Sequence, residues 1–103
     1  MIGLGKWSCS VDTMMFRGEA ELCISDNNGA YDFKVDAKGI AMPAYEVSEI
    51  TEDGSTLTAI VTSPVLPGKQ VPVSLTFDGD TVTGFVKIPL LGKIKLKNGH
   101  RIG

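Results

Sequence analysis

Few side chains in this sequence are of types that do chemistry, and they are scattered. Tyr31 and Tyr45 lie near Asp36 and Glu46. A hydroxyl beside a carboxylate can move a proton to or from a carbonyl compound. His100 is the only imidazole, a group that titrates near neutrality. If the chain is an enzyme, Tyr45, Glu46 and His100 are its candidate acid–base residues. The carboxylates are better read as solvated surface charges, and His100 as an exposed or hydrogen-bonded histidine. Cys9 and Cys23 stand at a separation that matches no zinc-ligand pattern. The chain carries no Gly-rich phosphate loop, histidine cluster or nucleophile elbow, which argues against kinases, dehydrogenases, hydrolases and metalloenzymes. No cofactor or metal is expected.

Bulk properties narrow the class further. A chain of 103 residues makes one domain, residues 1–103, with a core of its own. The formal charge of −2 offers no general attraction to phosphate backbones or anionic lipid, so neither nucleic acid nor membrane is an expected partner. Lysines do gather late, in "KIKLKNGHR" (93–101). They lack interleaved aromatics for nucleic-acid binding, and lysines of this kind commonly discourage strand edges from pairing. The first residues show no signal-peptide pattern, and no stretch approaches the roughly 20 apolar residues of a membrane helix. Cytoplasmic residence is the expectation.

What must position these side chains is a set of strands. Trp7, Cys9 and Val11 alternate with Lys6, Ser8, Ser10 and Asp12. The same period of two sets Ala20, Leu22 and Ile24 on one face, then Tyr31, Phe33 and Val35, then Leu57, Ala59 and Val61. It continues through Val71, Val73, Leu75 and Phe77, then Val82, Gly84, Val86 and Ile88, and ends on Ile94 and Leu96. Sustained alternation in short windows marks half-buried antiparallel strands. Turn sequences such as "DNNG" (26–29), "EDGS" (52–55) and "DGD" (78–80) punctuate it, supplying the residues tight hairpins require. Between 39 and 52, Pro43 limits the ladder, so this piece is an edge-like or bulged strand, or two short ones. With that piece counted once, the fold predicted is an all-β, eight-stranded antiparallel up-and-down (meander) barrel, because closure removes the edges a sandwich would leave.

Gly5-Lys6-Trp7 on the first strand and Arg101 near the end of the last resemble the signature of the calycin superfamily: lipocalins, fatty-acid-binding proteins and avidins. The resemblance implies a lipocalin-like barrel in which Trp7 closes one end and Arg101 packs across its ring, a contact worth about 0.5–2 kcal/mol. "KWSCSVDTMM" (6–15) and "DTVTGFVKIPLLGKIKLKNGHRIG" (80–103) are similar to a group of small, largely uncharacterised bacterial β-barrel proteins. The chain lacks a late helix, the extra tryptophans of avidin-like barrels, and the paired late arginines and tyrosine of fatty-acid-binding proteins, so none of those ligands carries over.

The interior of such a barrel is either filled or holds one small ligand. Large inward residues are interspersed with small ones, and Tyr31, Phe33, Tyr45, Ala59, Ser63 and Gly84 are the candidate ligand-binding positions. Alternation puts Cys9 and Cys23 on opposite faces, which forbids a disulfide. The apolar loops at Met14, Met15, Phe16, Val65 and Leu66, with outer-face Ile60 and Phe85, predict a barrel lid or a homo-oligomer contact. The leading functional expectation is a carrier or sensor that binds a small apolar ligand. The alternatives are a metal- and nucleotide-independent isomerase, cyclase or lyase, and a structural or accessory subunit with a filled core.

Overall fold

The period of two resolves into nine strands in a computed structural model that describes residues 2–12, 17–37, 45–63, 68–88 and 92–103. They are β1 (Gly5–Asp12), β2 (Arg17–Asn27), β3 (Ala30–Ala37), β4 (Glu46–Asp53), β5 (Thr56–Thr62), β6 (Val71–Asp78), β7 (Thr81–Ile88), β8 (Gly92–Lys95) and β9 (Lys97–Arg101). β8 and β9 are two halves of one strand interrupted at Leu96, so the barrel is eight-stranded in architecture. Every pairing is antiparallel, and the strand order is β3-β2-β1-β9-β7-β6-β5-β4, with β8 beside β7. The first strand therefore meets the last, and Trp7 lies opposite Arg101 across that joint. The result is a nearly closed antiparallel barrel, compatible with a calycin-like fold.

The turns reflect backbone freedom. Asn28 and Gly29 both take positive φ, at 54° and 91°, in the β2–β3 hairpin, as a two-residue turn of matching twist demands. Asp26 Oδ1 accepts from the Gly29 N–H at 2.8 Å and closes that turn. At Gly84, opposite Leu75, the missing side chain matters instead. A Cβ there would overlap the Ser74 carbonyl and lie 3.1 Å from Leu75 Cα.

Two irregularities change which side chains face inward. On β4 the register slips between Ser48 and Thr51, where Glu49 adopts a φ of 51°. One extra residue reverses the parity of the rest of the strand, which turns Glu52 to the same side as buried Leu57. The expectation of an edge-like, bulged strand thus holds for β4, whereas Pro43 itself lies outside the described residues. On β9 a second slip lies between the partners of Ser8 and Ser10, with Asn98 at a φ of 54°. Above it Leu96 packs on the core. Below it Gly99 lies opposite Val82 and His100 opposite Ser8. The uninterrupted parity that would turn His100 inward is broken there, and His100 is exposed on the outside.

Candidate functional site

Trp7, Ile24, Leu57, Leu75, Phe77 and Val82 form the buried core, gathered at the end of the barrel where Trp7 sits. The Trp7 and Phe77 rings meet with centroids 4.9 Å apart at 52°, a tilted packing favoured by ring quadrupoles. Residues 2–4 fold across beneath them. Trp7 Nε1 donates to the Gly3 carbonyl at 2.8 Å, and Arg101 Nη1 donates to the Leu4 carbonyl at 2.7 Å. The Arg101 guanidinium lies 4.4 Å from the Trp7 ring centroid. An indole whose N–H is satisfied and whose face carries a cation is a finished floor.

Above that floor the side chains become small, and a cavity of about 370 Å³ opens. Val35, Val61, Val71, Val73 and Val86 form its walls with Ala20, Ala59, Leu22, Leu96, Phe33 and Cys9. Leu57 and Leu75 form its base. No polar atom of the described residues is exposed to it. Valine and alanine are the cause, because eight strands enclose a space that larger side chains would just fill. Burial raises the Cys9 pKa above the ordinary 9.0, which favours the neutral thiol at physiological pH. Cys23 pairs with Lys6 on the outer face, and both cysteines are free.

Among the described residues a seam lies between β3 and β4, which end the strand order without pairing each other. Side chains clasp it. The Val35 N–H donates to the Tyr45 hydroxyl at 2.9 Å. Nearer the floor the Tyr31 hydroxyl donates to the Glu52 carboxylate and accepts from the Ile2 N–H at 2.8 Å. Tyr31 titrates above its ordinary 10.0, first through burial, then through its bond to Glu52. The β4 bulge brings Glu52 to this position.

Of the candidate ligand-binding residues, Phe33 and Ala59 line the cavity. Tyr31 and Tyr45 are clasps at the seam. Gly84 contributes close approach of β6 and β7, and Ser63 lies just past the end of β5, outside the lining. The candidate acid–base residues are not brought together. Tyr45 immediately precedes β4 and Glu46 begins it, whereas His100 is on the outside near the floor, its Nδ1 2.7 Å from the Asn98 carbonyl. Trp7 and Arg101 do meet. Outer-face Phe85 lies under the Lys93 ammonium, 4.1 Å from its ring centroid, and Ile60 sits opposite Pro72. The loop residues Met14, Met15, Phe16, Val65 and Leu66 lie outside the described residues. Lining residues beyond the candidate set, such as Val73, Val86 and Leu96, carry a signal in the alternation that turns them inward.

Among the described residues no three His, Cys, Asp or Glu side chains converge to hold a metal, and no helix is long and apolar enough to cross a membrane. Comparisons with protein families, curated proteins and solved structures returned no significant match.

Proposed function

We propose that this calycin-like barrel binds a small, neutral, apolar molecule in the cavity above Trp7, as a carrier or sensor. The observation that carries this reading is the apolar wall around about 370 Å³ of space. Ligand sites commonly occupy about 300–1,000 Å³ and are predominantly apolar. A wall whose described residues expose no polar atom would leave any charged ligand atom unsolvated and unpaired, at a cost of several kcal/mol. A cavity of about 150 Å³ with apolar walls accommodates benzene, so this one suits a ligand of about 12–15 heavy atoms. At about 0.4–0.5 kcal/mol per atom, within the usual range of ligand efficiency, binding amounts to about 5–7 kcal/mol, or a Kd of roughly 10–200 μM.

The test is a titration with a neutral solvatochromic dye, then displacement with a medium-chain alcohol. The parent protein should bind the dye with a blue shift and release it to the alcohol. Ala59→Phe, which fills the cavity, should fold and lose the dye. Binding retained at full strength by Ala59→Phe, or no binding by the parent, overturns the proposal.

A further inference from the structure

The late lysines have a place in the fold that the net charge hides. Lys87 lies directly opposite Lys93, and Phe85 opposite Lys95. Lys97 pairs with Ser10 and His100 with Ser8 along the neighbouring joint. All four lysines and His100 are exposed. Like charges directly opposite one another destabilise a sheet, yet among the described residues none of these lysines has an ion-pair partner. Lys93 lies over the Phe85 ring instead. Most exposed carboxylates lie elsewhere, Glu19 and Asp36 on β2 and β3, and Glu46, Glu49 and Asp53 on β4, while Asp78 and Asp80 sit at the β6–β7 turn at the floor end, where Asp80 pairs with Arg101. The exterior is thus divided into a basic side, β7–β8–β9, and an acidic side, β2–β3–β4.

Protection of an open edge accounts for only part of this. β8 has one strand neighbour, where lysines would discourage pairing. Lys87 and Lys97, however, are on β7 and β9, which are paired on both sides. We infer that the basic side is a docking surface for an anionic lipid bilayer. Lysines are mobile point charges suited to a diffuse field of headgroups, whereas a defined phosphate site favours the bidentate fork of arginine. Among the described residues Phe85 is the one Phe, Tyr or Trp on this face and is already covered by Lys93, which leaves no run of rings for single-stranded nucleic acid to stack on. The lysines climb from Lys97 to Lys87 and Lys93, at the end of the barrel where the cavity lies. Docked by this side, the protein holds its cavity end against a source of apolar molecules, and that last step rests on the binding function proposed above.

The experiment is co-sedimentation of the intact chain with phosphatidylcholine vesicles, with and without phosphatidylglycerol. Binding should require phosphatidylglycerol and weaken as salt is raised. Each lysine at such a surface contributes about fivefold in affinity, so the double variant Lys95→Glu, Lys97→Glu should lose at least about tenfold. Lys34→Glu, on the acidic side, should change binding less than about twofold by the same measure. Circular dichroism and a melting curve confirm that both variants fold. Equal binding to both vesicle types, no binding to either, an undiminished double variant, or tighter retention on a polynucleotide than on the vesicles each overturns the inference. Dye binding in solution is measured on the same samples. Loss of vesicle binding with the dye retained refutes docking alone, and the reverse refutes the cavity function alone.

Discussion

Replacing Arg101 by Met tests whether the floor depends on its guanidinium. Methionine keeps most of the apolar stem and removes three contacts. The stacking on Trp7 at 4.4 Å is worth about 0.5–2 kcal/mol. The hydrogen bond to the Leu4 carbonyl at 2.7 Å has a charged donor, worth about 1.5–3 kcal/mol where shielded from water. The Arg101 side chain is 36% exposed, which puts this bond at the lower end. The ion pair with Asp80, 3.2 Å long but with an 85% exposed carboxylate, adds only about 0–1 kcal/mol. The contacts share one side chain and do not simply add, so the expected loss is about 2–3 kcal/mol, or roughly 10–20 °C in Tm for a domain of this size. Trp7 is the only tryptophan and is 1% exposed, so urea unfolding monitored by its emission reads the floor directly. Asp80→Asn should stay within about 0.5 kcal/mol of the parent. An Arg101→Met variant as stable as the parent with unshifted emission refutes the reasoning. So does an Asp80→Asn variant that is equally damaged.

Gly84→Ala should destabilise the barrel by about 1–3 kcal/mol or more by urea unfolding, because the added Cβ meets β6 backbone that cannot move aside. Alkaline stability should carry the signature of Tyr31 and Cys9. Both have folded pKa values raised above 10.0 and 9.0 respectively, so their stabilisation is complete below those values and is lost as pH rises through the folded ones. Tyr31→Phe should cost about 1 kcal/mol at neutral pH and flatten the decline above pH 10, as checked by denaturation midpoints across that range. With a thiol-reactive probe, Cys23 should react before Cys9 in the native protein, two thiols should appear on denaturation, and an apolar ligand should slow Cys9 selectively.

Alternation carried most of the architecture. Side-chain type alone turned Trp7, Ile24, Leu57, Leu75, Phe77 and Val82 inward, and these are the core. The joint between first and last strands was legible because Trp7 and Arg101 belong to a recognisable pairing. A bulge in β4 was expected, but its position, and the β9 bulge altogether, were not legible in the same way, because each depends on a backbone torsion that a side-chain pattern records faintly. Glu49 is an unusual residue for positive φ and gave no warning that Glu52 would turn in toward Tyr31. Asn98-Gly99 is a better signal, since asparagine tolerates that conformation, and it is the reason His100 faces out. The cavity was only half legible: alternation says which residues face inward, but the space left over depends on how Val73, Val86 and Ala59 fit together in three dimensions.

The most direct test of an interior binding site is a methyl NMR titration of the valine-labelled protein with decanol. Val35, Val61, Val73 and Val86, on the cavity wall, should shift together and saturate, while Val82, buried in the floor, stays put. Shifts spread over the outer face without saturation, or wall methyls that never move, would contradict it.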